Sequence, residues 1–216
     1  MTAALRRFTA PAPRRPTEQQ CEMCSERLGH NHSHVVNVET RSILCACRGC
    51  YLLFTHPGAG GGKHRAVPER YRHLPSFPAG ELIWESTGIP VGMAFLFRSS
   101  PAGPVAFYPS PGGATESLLE VNAWEQAVGQ HPALSDIADD VEALLINQGH
   151  PEITKQEGKF ECFLVPVDVC YQLVGLVRMY WRGFDGGSEV RQHLDEFFDT
   201  LRRRCERVET DADRGR

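Results

Sequence analysis

The amino-acid sequence predicts an α+β protein in which a small zinc-ribbon or rubredoxin-like β module precedes a larger α+β domain. Five of the eight cysteines lie between Cys21 and Cys50. The apolar runs in that region are too short to form helices, whereas beyond residue 76 the pattern shows strands and helices of ordinary length. The predicted organisation is a flexible tail (1–20), a cysteine-rich metal-binding module (21–75), an α+β domain (76–205) and a second flexible tail (206–216).

The composition is that of a globular protein and carries no signature of nucleic-acid binding or of a membrane span. Of the 216 residues, 41% are hydrophobic and 23% are charged, and the net charge of -4 gives no electrostatic reason to expect nucleic acid as a partner. No segment approaches the roughly 18 consecutive apolar residues of a membrane span. The first residues carry arginines and prolines without an apolar core segment, which predicts a tail rather than a secretory signal. We therefore expect a cytoplasmic protein whose cysteines stay reduced.

The module contains apolar runs at 35–38, 43–44 and 51–54, which predict three short strands separated by turns. A segment of this size buries too little apolar surface to fold without help. Its cysteines are the candidates for supplying the missing stability.

The domain begins with two buried strands, "PVGMAFLFRSS" and "PVAFYPS", joined by a turn at 99–103, and "KFECFLVPV" predicts a further strand. Helical spacing of apolar residues predicts helices within 114–132 and 135–151, the second capped by Ser135. The segment 168–183 fits a buried helix or a strand, because Gly175 weakens its helical pattern. The last helix, from 187 onward with Ser188 as its cap, has the clearest apolar stripe.

Two C-x2-C pairs, Cys21–Cys24 and Cys47–Cys50, are the strongest signal in the sequence. Each pair can form a tight knuckle whose two sulfurs point the same way, and two knuckles complete a tetrahedron around one metal ion. Closing such a site supplies on the order of 10 kcal/mol of folding free energy. We therefore predict Cys21, Cys24, Cys47 and Cys50 as the ligands of one zinc ion, with iron as the alternative.

The preference for zinc rests on the residues that follow each pair. Rubredoxin knuckles usually carry a glycine after the second cysteine, which relieves the turn. This chain has Ser25 and Tyr51 at those positions. The difference favours zinc over iron.

The remaining cysteines and the histidines of "GHNHSH" have structural interpretations. We interpret Cys45 as an inward-facing strand residue; the alternatives are that it replaces Cys47 as a ligand or is a reactive thiol beside the metal. The histidines are interpreted as loop residues that are solvated or bond to the backbone, although one of them could replace a cysteine ligand; they are His30, His32 and His34. Three isolated cysteines are interpreted as small buried residues: Cys162, Cys170 and Cys205.

No catalytic set stands out in the sequence. The stretch "HPGAGGGKHR" departs from the phosphate-binding pattern at Pro57 and His64, so we interpret it as a flexible loop. No serine or cysteine has a nucleophile signature, and no pair of carboxylates has catalytic spacing. The sequence therefore favours a binding protein over an enzyme and points to no small-molecule substrate; an enzyme with Cys45 as its nucleophile is a distant alternative.

The sequence also resembles a family of bacterial proteins encoded beside high-affinity uptake nickel-iron hydrogenases. The resemblance extends from Cys21 to Leu201 and is carried by the blocks "CEMC", "HVVNVETRSILCACRGCYLLF", "GAGGGKHRAVPERY", "VAFYPSPGGATESLLEVNAW", "DVEALLINQ" and "LVPVDVCYQLVGLVRMYWRGFDGGSEV". It implies an accessory role. Because Ser25 and Tyr51 argue against rubredoxin-type knuckles, we expect the protein to assist assembly or maturation of the hydrogenase by contacting a hydrogenase subunit or an assembly factor. Two alternatives remain open: a rubredoxin-like iron protein that carries electrons for the hydrogenase, and a zinc-ribbon regulator that binds nucleic acid.

Overall fold

The computed structural model describes residues 19–75, 77, 79–117, 121–129, 131–148, 160–183 and 186–208. Most of the two predicted tails therefore lies outside the described residues. At the edges of these tails, Gln20 forms an isolated β-bridge with Arg27, and the strand Glu206–Arg207 pairs with the body of the protein.

A small antiparallel sheet of three strands occupies the cysteine-rich segment. Its strands are β1 (Ser33–Asn37), β2 (Ser42–Ala46) and β3 (His64–Ala66), in the order β2-β1-β3. The first two match the apolar runs at 35–38 and 43–44. The strand predicted at 51–54 is wrong, because residues 51 and 52 belong to a short helix, α1 (Arg48–Leu52), and the chain then turns.

The second sheet has seven strands in the order β10-β4-β9-β8-β5-β6-β7. They are β4 (Arg72–Leu74), β5 (Met93–Ser99), β6 (Gly103–Ser110), β7 (Gly113–Ser117), β8 (Glu142–Asn147), β9 (Glu161–Pro166) and β10 (Glu206–Arg207). All neighbours are antiparallel except β10 and β4, which are parallel. The strand β4 belongs to the segment predicted as the metal-binding module, yet it pairs within this larger sheet.

Four helices cover the two faces of the large sheet: α2 (Ala79–Thr87), α3 (Val121–Gly129), α4 (Val167–Tyr180) and α5 (Gly187–Arg204). Alternate strand residues point to opposite faces. On one face, α4 and α5 pack against Phe95, Leu145 and Phe163. On the other face, α2 and α3 pack against Leu96, Leu144 and Leu164. The α+β class is thereby confirmed.

Several predicted elements are confirmed, and the departures have physical reasons. The hairpin of β5 and β6 and the last helix are present, and the ambiguous segment 168–183 is largely helical because Gly175 costs less than the apolar burial of its neighbours contributes. The helix predicted over 135–151 is wrong. Residues 142–147 form β8, in which all six residues are buried. A strand buried on both faces shows no polar alternation, so its run of apolar residues imitates helical spacing.

Neither serine that was predicted to cap a helix does so. Ser135 ends a short 3-10 turn, Pro132–Leu134, instead of starting a helix. The cap of α5 is Gly186, not Ser188, and its φ of 82° is in the left-handed region that glycine adopts without strain.

The small sheet is fastened to the large one by apolar and ionic contacts. Val36 of β1 and Val67 after β3 belong to the same buried cluster as the residues of the large sheet. Arg65 lies 3.3 Å from the carboxylate of Asp140. The connection between β3 and β4 carries Arg70, which binds the fully buried carboxylate of Glu142 at the start of β8. Independent folding of segments 21–75 and 76–205 stays a prediction.

A second carboxylate, that of Glu161 in β9, is partly buried and lies within a cluster of hydrogen-bond donors. Its oxygens accept hydrogen bonds from His73 at 3.1 Å, from Arg202 at 3.1 Å and from Asn147 at 3.0 Å. Burial by itself would raise the pKa of Glu161, but the hydrogen bonds from His73 and Arg202 and the charge of Arg202 lower it to about 2. The carboxylate therefore joins β4, β9 and α5 in its charged form.

We expect this carboxylate to make the stability of the protein depend on pH in the acid range. Because the pKa is lower in the folded state than in the unfolded chain, the stabilisation is complete above about pH 4.5 and is lost as the pH falls towards 2. The loss amounts to about 3 kcal/mol. Urea unfolding of the wild type and of Glu161→Gln between these pH values measures it. The substitution should flatten the dependence, and identical slopes for the two proteins would contradict the assignment.

Candidate metal centre

The first cysteine pair lies in a tight turn closed by backbone hydrogen bonds. The N–H of Cys21 donates to the carbonyl of Glu26 at 2.7 Å, and the N–H of Ser25 donates to the carbonyl of Cys21 at 2.8 Å. Ser25 has a φ of 65°, in the left-handed region. The backbone after Cys24 therefore takes the conformation that a glycine would relieve, although the residue is a serine.

The second pair lies at the start of α1. Cys47 is the N-cap of this helix, and its Sγ accepts the N–H of Cys50 at 3.4 Å. The N–H of Tyr51 donates to the carbonyl of Cys47 at 2.9 Å. A helical turn after the second pair requires no left-handed residue, which explains why Tyr51 fits there.

The fold brings the two turns together so that the four predicted ligands converge. The sulfurs of Cys21, Cys24, Cys47 and Cys50 all lie within 4.8 Å of one another. The Sγ atoms of Cys24 and Cys47 are 3.7 Å apart. Four thiolates around a zinc ion with bonds of about 2.3 Å form a tetrahedron whose edge is about 3.8 Å. The four cysteines are thus close enough to hold one metal ion.

The strand β2 holds the first turn in this position. The N–H of Glu22 donates to the carbonyl of Cys45 at 2.9 Å, and the N–H of Cys45 donates to the carboxylate of Glu22 at 2.6 Å. These two bonds fix the first pair against the strand that leads into Cys47. The convergence of the sulfurs therefore depends on the small sheet.

The thiols differ in their tendency to ionise. Burial raises the pKa of Cys21, but hydrogen bonds from the backbone N–H groups of Cys47, Met23 and Cys24 lower it to about 6. A hydrogen bond shared with Cys24, together with burial, raises the pKa of Cys50 to about 12. Neighbouring thiolates repel one another at these distances, so a cation is required to hold all four in the charged form.

The apolar core around the four cysteines is small. It consists of Cys21, Val35, Ala46, Cys47 and Tyr51, with a few partly buried neighbours. Cys24, in contrast, is exposed, so one corner of the centre faces the surface. A core of this size is insufficient for a stable fold on its own. Binding of a metal ion by the four cysteines would supply the stability that this small core lacks.

A family model matches residues 20–205 and is described as a family of unknown function, DUF5947. The chain belongs to this DUF5947 family. The match covers both cysteine pairs and every helix and strand described above except β10. No curated protein and no solved structure matches the chain. Among the described residues, no helix is both long and apolar enough to cross a lipid bilayer.

In this DUF5947 chain, Cys45 lies apart from the four clustered thiols. It is half-buried in β2, and its sulfur lies close to the side chains of His32 and His34. The sequence predicts solvated or backbone-bonded histidines here; His32 does bond to the backbone carbonyl of Gly29, whereas His34 bonds to the side chain of Asp168. The signal that indicates their position is the H-x-H spacing at the start of a strand, which places both side chains on one face.

The three isolated cysteines are placed as small packed residues. Cys162 and Cys170 are fully buried, and burial raises the pKa of both thiols. Cys205 is half-buried, and burial raises the pKa of its thiol to about 11. A thiol that stays protonated at neutral pH is a poor nucleophile, which agrees with a packing role for all three.

Proposed function

We propose that this protein is a zinc-stabilised accessory protein that assists assembly or maturation of an uptake nickel-iron hydrogenase by contacting one of its subunits or an assembly factor. The observation that carries the proposal is the convergence of four cysteine sulfurs within 4.8 Å of one another. A site in which the protein supplies all four ligands leaves no open position for a substrate. Such a zinc ion acts by stabilising structure.

The surface beside the centre offers apolar side chains for contact with another protein. Leu52 and Leu53 lie two and three residues after Cys50 and expose 51% and 65% of their surface. Large apolar side chains adjacent to each other on the surface favour a protein-binding role. We infer that the zinc ion fixes the helix α1 and its end, and thereby presents these two leucines to the partner.

The hydrogenase as partner is supported by the sequence blocks that resemble the hydrogenase-linked family. The resemblance covers the cysteine pairs and the helix that carries Leu52. The proposal therefore joins a structural zinc ion to a contact surface on the same short helix.

Deleting the protein from a host that makes such a hydrogenase should lower the amount of assembled enzyme on a native gel while leaving its transcript unchanged. Complementation separates the contact surface from the metal. A Leu52→Ser/Leu53→Ser protein should keep its zinc and still fail to restore assembly, because only exposed side chains change. The matched control is Leu82→Ser, an exposed leucine of α2, which should restore assembly fully. Normal hydrogen uptake by the deletion strain would overturn the proposal.

A second candidate function is electron transfer by an iron ion in the same four-cysteine centre. Two observations favour it: Ser25 adopts the left-handed backbone of a rubredoxin-type knuckle, and Cys24 is exposed at the surface. Protein purified without oxygen and then oxidised would be red with iron and colourless with zinc. Loss of a carrier would leave assembled hydrogenase that reduces an artificial dye but cannot pass electrons to its physiological acceptor.

A further inference from the structure

A second group of metal-binding side chains lies on the small sheet. His34 of β1 and Cys45 of β2 are directly opposite each other in the antiparallel pair, a position in which facing side chains are in contact. His32 precedes β1, and its ring lies 4.8 Å from that of His34, centre to centre. The three residues each offer one ligand atom, and these atoms all lie within 4.8 Å of one another.

Both imidazoles are oriented by acceptors bound to their Nδ1 atoms. His32 Nδ1 lies 3.0 Å from the carbonyl oxygen of Gly29, and His34 Nδ1 lies 2.8 Å from the carboxylate of Asp168 on α4. A carbonyl or a carboxylate oxygen can only accept, so each Nδ1 carries a proton, and in the neutral imidazole each Nε2 then keeps its lone pair for a metal. Histidines that bind metals through Nε2 are oriented in this way by carbonyl or carboxylate partners.

The lone pair of His32 is without a donor among the residues that the structure describes. Its Nε2 atom is buried and makes no hydrogen bond there. A buried acceptor without a partner destabilises the folded state. A cation at the point where the two imidazoles and the thiol meet would satisfy this nitrogen and would also stabilise the Cys45 thiolate.

We propose that His32, His34 and Cys45 form a second metal site, separate from the four-cysteine centre, that binds a late first-row divalent ion such as zinc. Two imidazoles and one thiolate are a donor set suited to this class of ion. The four-cysteine centre uses other ligands, so this inference goes beyond the proposed function and does not depend on the hydrogenase as partner.

The second site differs from the first in having only three protein ligands. His32, His34 and Asp168 line a groove of about 720 Å³, whose walls also carry Arg48 and Arg204. Zinc with three protein ligands keeps a fourth position for water or for an external ligand. An ion bound by these three residues would therefore keep one coordination position open, whereas an ion in the first site would have all four positions filled by thiolates.

Metal titration of the full-length protein with its first zinc ion retained tests this site. With cobalt as the probe, the wild type should take up about one further ion per chain, with the absorption of a mixed nitrogen–sulfur site rather than of a tetrathiolate. His32→Asn and Cys45→Ser should each abolish this uptake and keep the first ion. The matched control is His30→Asn in the same loop, which should bind as the wild type does.

The partner of His34 gives a finer test. Asp168→Asn should keep the stoichiometry but weaken binding of the second ion about 10–100-fold, as expected for loss of a carboxylate that orients a metal-bound histidine. A purely structural role of Asp168 would leave the cobalt affinity unchanged and would contradict this assignment. Circular dichroism of each variant verifies the fold. A folded wild type that takes up no second ion, or a His32→Asn protein that takes it up normally, would overturn the proposal.

Discussion

Replacing Cys47 by serine is expected to abolish binding of the proposed zinc ion and to unfold the small sheet. Cys47 is a member of the four-sulfur group and also caps α1. Closing a four-cysteine site supplies on the order of 10 kcal/mol, which far exceeds what the small apolar core around Val35 and Tyr51 can supply. The helices packed on the large sheet should persist, because most of their core comes from residues of that sheet and of the helices themselves, and the four clustered cysteines do not belong to it. Zinc analysis after dialysis against a mild chelator, limited proteolysis and circular dichroism measure the three effects.

The control for this substitution is Cys205→Ser, which changes a half-buried thiol outside both groups of ligands. It should keep the zinc ion and the resistance to protease. Full zinc content and an intact small sheet in the Cys47→Ser protein would contradict the assignment. Loss of all helical signal on chelation would instead show that residues 76–205 cannot fold without the module.

Replacing Arg70 by methionine is expected to lower the free energy of unfolding by about 3–5 kcal/mol, because it leaves a buried carboxylate without its cation. Glu142 has no exposed surface. Its oxygens accept hydrogen bonds from the guanidinium of Arg70, one of them at 2.7 Å, and from the N–H of Ala138 at 2.8 Å. Chemical denaturation of the purified protein measures the loss.

Two further variants make the interpretation specific. In Arg70→Met/Glu142→Leu the buried charge is absent, so most of the lost stability should return. Lys63→Met breaks a pair with Glu39 in which both side chains are about 60% exposed, and it should cost less than about 1 kcal/mol. An Arg70→Met protein as stable as the Lys63→Met protein would show that the buried pair does not fasten the two sheets together.

The sequence predicted those features whose signal is local. The cysteine pairs, the hairpin of β5 and β6 and the stripe of α5 each depend on residues close together in the chain. The strand β8 was predicted as a helix because it is buried on both faces, and burial of that kind is decided by packing from α2, α3, α4 and α5 rather than by its own pattern.

In the candidate sites, too, local sequence signals were predicted and features that depend on the tertiary fold were not. The spacing of Cys21, Cys24, Cys47 and Cys50 indicates a common centre without knowledge of the fold. The grouping of Cys45 with His34 follows only from the register of β1 against β2, which the sequence leaves open. The conformation of Ser25 could not be inferred either, because serine is uncommon in the left-handed region.

The place of β4 in the large sheet determines when that sheet can be completed during synthesis of the chain. Residues 72–74 pair on one side with β9 and on the other with β10, the last strand described. On the ribosome, β4 emerges long before either partner, and it can pair only after nearly the whole chain has been synthesised. The strands β1, β2 and β3 follow one another within residues 33–66 and need no distant partner. Since nearby segments meet faster than distant ones, the cysteine-rich end of the chain can find its metal before the body to which it docks exists.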